Sequence, residues 1–264
     1  MVEGRQEVKI EKPKVIFPPP RIVLSTVEGW GKSTCGAYST NPIMIMAGTE
    51  TGYLTLLGAG LVPLVPCGLA TEWPDLLSTI QRLGKKEAPT YGVLVLDALS
   101  GVERICHEYV CKRDFKGDWG ERGFTSYQKG FDVAVTDWIQ LLVALDQVRT
   151  KGTTILLLAH VQVRPFKNPL GADYDRYVVD VHHKTWGVTH KWADAVLFGT
   201  FTGEIDLKTG KAVGGSDRVF YTERRESYDA KNRYGMDQKV KVPNDPTKVW
   251  DTVWGAVTKH KGDK

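Results

Sequence analysis

A chain of 264 residues, 42% hydrophobic and 25% charged, is long enough to bury a sizeable core, and its make-up excludes collagen-like, disordered and disulfide-stapled classes. The formal net charge of +4 is compatible with a nucleic-acid partner and does not demand one. The N-terminus shows no apolar leader, no apolar run is long enough to span a bilayer, and Cys35, Cys67, Cys106 and Cys111 form no CxxC pair. A reducing, cytoplasmic setting without a membrane partner is the expectation.

Residues 1–20 are charged and then proline-rich, ending in FPPP, and are expected to form a tail or extended arm. Residues 21–37, RIVLSTVEGWGKSTCGA, carry the strongest signal. Ile22, Val23 and Leu24 predict a buried strand, residues 26–31 a glycine-bearing loop, and Lys32, Ser33 and Thr34 the start of a helix. Strand, loop and helix in that order are what a phosphate-binding P-loop requires. Gly29 and Gly31 let the backbone curl close to a phosphate, and the loop and helix N–H groups attract anions. Glu28, Gly29, Trp30, Gly31, Lys32, Ser33 and Thr34 are the expected nucleotide-binding residues. Lys32 would reach the β- and γ-phosphates, and Ser33 would ligate Mg²⁺. Thr26 stands where the full pattern has its first glycine, and Glu28 should point away from the anion.

The run PIMIMA, residues 42–47, predicts a second strand, with Glu50 just beyond it in GTETG. Open α/β sheets place their ligand sites at such strand ends. Residues 61–67 form another brief apolar piece, and residues 72–83 an amphipathic helix through Trp73, Leu76, Leu77, Ile80 and Leu83. YGVLVLD, residues 91–97, predicts a fully covered parallel strand ending in Asp97, placed near the Mg²⁺ of a bound nucleotide. Residues 102–111 predict a helix; Cys106, His107 and Cys111 match no common zinc spacing. Residues 113–130, polar and aromatic, are expected to form a loop over the nucleotide or subunit face. A long amphipathic helix follows to Thr150, and TTILLLA, residues 153–159, predicts a strand ending at His160. His160 is either a γ-phosphate contact or a plain strand-end histidine.

Residues 161–191 show no core periodicity. Arg164, Lys167 and Arg176 lie there among Phe166, Tyr174 and Tyr177, a pattern that suits phosphates and stacked bases, or a solvated loop. His182, His183 and His190 lack metal-ligand spacing. Residues 193–201 predict a strand, residues 204–215 a hairpin connection with its turn at Lys208, Thr209 and Gly210, and residues 218–222 a further strand. In the lysine-rich tail, Val249, Trp250, Val253, Trp254 and Val257 share one helical face, expected to pack on its own domain.

In this order the pieces resemble the RecA-like ATPases, closest to the phage-encoded, AAA-type nucleotide-binding proteins of single-strand annealing and recombination. The carriers are GWGKST, GTETG, VLVLD, LLLAHVQV, KWADAVLF and AKNRYG, spread over residues 21–235. The resemblance implies an α/β, RecA-like P-loop NTPase core at residues 21–238, with a mainly parallel sheet covered by helices on both faces and a basic tail at 239–264. It implies Mg²⁺-dependent ATP hydrolysis coupled to single-stranded DNA binding in recombination, repair or replication, inside a host cell's cytoplasm. Glu50 stands where the family keeps the glutamate that activates water, and His160 where it keeps a γ-phosphate sensor. Lys231 and Arg233 stand where hexameric relatives insert cations into a neighbour's ATP site. Self-assembly into a ring or filament, and a single-strand DNA-binding protein as partner, follow from the same resemblance. A nucleotide kinase with a lid at residues 113–122, and a nucleotide-dependent DNA-binding scaffold without turnover, are the alternatives.

Overall fold

The computed structural model describes residues 12, 16–205 and 212–261. Most of the expected N-terminal arm and the turn at Lys208, Thr209 and Gly210 lie outside the described residues. The elements in chain order are β1 (Arg21–Thr26), α1 (Lys32–Ala37), β2 (Pro42–Ala47), α2 (Gly52–Gly58), β3 (Cys67–Ala70), α3 (Trp73–Gly84), β4 (Val93–Asp97), α4 (Leu99–Phe115), α5 (Lys129–Thr150), β5 (Thr154–Phe166), β6 (Tyr174–Val179), α6 (His183–Trp192), β7 (Ala195–Ile205), β8 (Ala212–Tyr221), β9 (Lys231–Asn232), β10 (Lys239–Val242) and α7 (Val249–Thr258).

The sheet runs in the order β10-β8-β7-β1-β5-β4-β2-β3. Strands β3, β2, β4, β5, β1 and β7 are parallel, and β8 and β10 add an antiparallel edge. Strands buried on both faces read as continuous apolar runs, and alternate residues feed opposite layers. Ile22, Leu24, Met44, Met46, Val93, Val95, Leu156 and Leu158 face a core shared with Trp30, Cys35 of α1 and Trp250 and Val253 of α7. Val23, Ile45, Leu94, Leu96, Ile155 and Leu157 face the other core, built with Leu76 of α3, Val102 of α4 and Trp138 of α5. The protein is therefore an α/β core with helices on both faces of a mainly parallel sheet. The tail stripe packs on its own sheet: Val249, Trp250, Val253 and Val257 are buried, and the Trp250 indole donates to Thr40 Oγ1 at 3.1 Å.

Three stretches differ from expectation. Strand β5 does not stop at His160. It runs on to Phe166 and pairs antiparallel with β6, so much of residues 161–191 is a hairpin followed by α6. The third strand, Cys67–Ala70, starts only at the last residue of the expected apolar piece, within which Leu61 and Leu64 are exposed. Helix α4 continues to Phe115, and the segment after it is pinned by the fully buried Phe124 against Phe115, Phe131 and His107. Arg113 is held there by Asp137 and Asp114, engaged on α5 and its own helix.

Candidate nucleotide site

Four neighbouring parallel strands end at one edge of the sheet and deliver the expected residues together. The loop from β1 to α1 takes its left-handed bends at Gly29 (φ 73°) and Gly31 (φ 105°), where a side chain would be strained. Thr26 is the last residue of β1 and has no positive φ, so a β-branched residue is accommodated at the loop's start. Glu28 is exposed, and its charge still acts on Lys32. Trp30 is fully buried; its indole donates to Val219 O at 3.1 Å and clamps the loop to β8. The ring fits only because Gly199 on β7 has no side chain: a Cβ there would stand 2.8 Å from it. Val27 N–H donates to Gly199 O at 3.1 Å, so β7 holds the loop by backbone as well.

Lys32 opens α1 and is buried, its Nζ 3.3 Å from Thr26 Oγ1. Burial pulls its pKa down, while Asp97, Glu50 and Glu28 pull it up. The next hydroxyl, Ser33 Oγ, donates to Asp97 Oδ2 at 2.6 Å. Burial pushes the Asp97 carboxyl up, against the Ser33 hydrogen bond, and the nearby Glu50 charge pushes it further. A buried carboxylate beside a hydroxyl is a hard-oxygen donor pair, so Ser33 and Asp97 fit Mg²⁺. Thr34 follows on the same short helix.

Glu50 lies in the turn after β2. Helix α4 approaches that turn so closely that a Cβ on Gly101 would stand 2.2 Å from Ala47 O and 3.4 Å from Glu50 Cγ. Register pairs Thr26 with His160 across β1 and β5, which brings the imidazole to the loop. His160 Nε2 lies 3.5 Å from Glu50 Oε1, and its hydrogen bond and charge, with Lys32, hold Glu50 below the ordinary carboxylate range. Both side chains remain about one-third exposed, open to a ligand or a water molecule.

The remaining expected residues lie elsewhere. Arg164 and Lys167 are exposed on the β5–β6 hairpin, Lys167 paired with Asp173 at 2.7 Å. Arg176, on β6, is buried; it pairs with Asp229 and lies over the Phe166 ring. Lys231 and Arg233 are not brought to the P-loop of their own chain. Strand β9 pairs with the first residues of β7, at the sheet end opposite the loop. There Lys231 Nζ donates to the carbonyls of His190, Lys191 and Ala193, and Arg233 Nη1 to Asp194 Oδ1 at 3.2 Å. The clamp of Trp30 on Gly199 and Val219 escapes sequence reading, since nothing in the spacing of these residues ties them together.

A glycine-bent loop, a buried lysine and a serine–aspartate pair at the C-terminal ends of adjoining parallel strands define a nucleotide-binding P-loop protein. Residues 19–234 match the family described as AAA domain, and the chain belongs to that family. No curated protein matches the chain. Among solved structures it is similar to the flagellar accessory protein FlaH from Methanocaldococcus jannaschii, with 10% identity, a TM-score of 0.41 and 85% of each chain covered. Among the described residues no helix is long and apolar enough to cross a membrane.

Proposed function

We propose that this protein is a Mg²⁺-dependent ATPase that couples hydrolysis to single-stranded DNA binding in phage recombination, repair or replication. The observation that carries the reading is the convergence of Lys32, the Ser33–Asp97 pair and the Glu50–His160 pair at one sheet edge. Lys32 and the loop amides stabilise charge on the phosphates, which is greatest in the transition state. Ser33 and Asp97 would hold Mg²⁺, which supplies charge neutralisation at phosphate oxygens when bound. Glu50, kept ionised by His160, orients and polarises the attacking water. His160 positions that carboxylate and reads the presence of the γ-phosphate.

The β5–β6 hairpin is the DNA-contacting element in this reading. Arg164 and Lys167 are its exposed cations, and Phe166 and Tyr174 form an aromatic pair at its end, 5.2 Å between centroids. Cations and rings together hold single strands with little sequence preference. Arg176 supports the hairpin base through Asp229, so its contribution to DNA binding is positional. Assembly into a ring or filament would let Lys231 and Arg233 act at a neighbour's site, with Lys231 first leaving the carbonyls it now binds.

The test is phosphate release by the full chain with and without single-stranded DNA, alongside its mass in solution. DNA-stimulated release without a phosphate acceptor, abolished by Lys32→Ala, is expected. Release only with a small-molecule acceptor would point to a phosphotransferase, and nucleotide binding without release to a scaffold. For action in trans, Lys32→Ala and Arg233→Ala proteins, each inactive alone, should recover partial activity when mixed. No recovery in mixtures shown to co-assemble removes that role.

A further inference from the structure

Arg218 on β8 belongs to none of the groups above, yet it lies against the phosphate loop. Its Nη1 and Cζ stand 3.6 and 3.9 Å from the point that a Cβ on Gly31 would occupy. The placement follows from the strand. Residues two apart share a face, so Arg218 lies on the side of Phe220, which is buried in the core with Trp30. Strand β8 runs antiparallel to β7, and β7 is parallel to β1, so Arg218 lies nearer than Phe220 to the edge that carries the loop. Between them, Val219 O accepts the Trp30 indole and fixes the register of loop and strand.

Among the described residues the Arg218 guanidinium has no ion-pair partner, and its Nε is buried without a hydrogen-bond partner. Arginine does not escape by losing its proton. A buried donor left unpaired is costly, and an anion beside Gly31 would satisfy it.

We propose that Arg218 binds the nucleotide's polyphosphate in cis, on the α- and β-phosphate side. Strand order sets the side. Glu50, Asp97 and His160 arrive from β2, β4 and β5 on one flank of β1, whereas Arg218 arrives through β7 and β8 on the other. The γ-phosphate belongs with Glu50 and His160, so Arg218 meets the part that ADP and ATP share. The inference rests on the nucleotide site proposed above.

The test titrates the full chain with fluorescent ADP and ATP analogues, comparing wild type with Arg218→Ala, Arg218→Lys and Arg218→Gln, and with Lys32→Ala as the loop control. Thermal melts of each variant check the fold; if Arg218→Ala melts early, the lysine and glutamine variants carry the comparison. Loss of one charge-assisted contact should weaken ADP and ATP alike by about tenfold to a hundredfold in the neutral variants. Lysine should recover part of that loss and glutamine should not. Wild-type affinity in the neutral variants, with Lys32→Ala still impaired, overturns the role of Arg218 and leaves the loop assignment standing. A loss confined to ATP also overturns it, since the contact would then be with the γ-phosphate. If wild type and Lys32→Ala both fail to bind ADP, the nucleotide site itself fails, and this inference with it.

Discussion

Replacing Gly199 with alanine should loosen the nucleotide site by pressing on Thr26 and the Trp30 ring rather than on Lys32, Ser33 or Asp97. The added methyl would stand 2.6 Å from Thr26 Cγ2 and 2.8 and 3.0 Å from two Trp30 ring atoms. Ordinary carbon–carbon contacts lie near 3.5–4.0 Å, so ring and threonine would each have to retreat by about 1 Å. Neither has room: both are fully buried, Trp30 is hydrogen-bonded to Val219, and Thr26 is paired with both β5 and β7. Overpacking of this kind costs about 1–3 kcal/mol of stability. Part of the strain must also reach the loop, because Trp30 is one of its residues. A shift of about 1 Å at a preorganised site is worth an order of magnitude or more, so ADP affinity should fall at least about tenfold. Urea unfolding and ADP titration on one preparation read both effects, with a lower midpoint and unchanged slope showing an intact two-state fold. Wild-type midpoint and affinity together would refute the clamp. A lower midpoint with wild-type affinity would refute its control over the loop.

Glu50→Gln keeps the side-chain shape and removes the charge, so ATP should still bind while phosphate release drops by about two to four orders of magnitude; an unchanged rate moves the catalytic role elsewhere. Replacing Arg164 and Lys167 together should weaken binding to single-stranded oligonucleotides and flatten the dependence on salt by about one unit of slope per lost phosphate contact; an unaltered salt slope would reduce the hairpin to a solvated projection. Acid should destabilise the fold through His107, whose imidazole is pushed down to about 4 by burial, helped by neighbouring His182. The unfolded chain, with an ordinary value near 6.5, binds more protons between those limits, so stability is full above about pH 6.5 and falls as pH drops towards 4, by about 2 kcal/mol at pH 5. Denaturant midpoints at pH 8 and pH 5, in wild type and His107→Gln, measure this, and an equal loss in both proteins would place the titration elsewhere.

The parts legible in the sequence were those whose burial is symmetric. Residues 22–24 and 93–96 are covered on both faces, so their apolar runs are unbroken and Asp97 stands out at the end of the second. Strand β5 was legible only as far as its covered half. From Val161 onwards it is covered on one side at most, polar residues interrupt the run, and the partner that makes it a strand is β6, whose pairing no local pattern announces. At the edge, β3 is four residues long and largely exposed, so no buried run or alternation marks it. The P-loop was legible because its chemistry demands particular residues at particular spacing. Arg218 was not, because only the antiparallel edge of the sheet brings it to Gly31, across a separation of 187 positions that carries no motif.

Strand β5 has a mechanical consequence. Its 13 residues include no glycine and extend about 43 Å at about 3.3 Å per residue, from the buried sheet to the hairpin's end. Pairing to β1 continues up to His160, and pairing to β6 begins at Val161, so no unpaired joint separates the two halves. A torque applied at the tip of the hairpin would therefore act, like load along a strut, on the imidazole beside Glu50. In the proposed function, a strand held on the hairpin and the attitude of the carboxylate that orients water would then share one mechanical variable, with no domain needing to move.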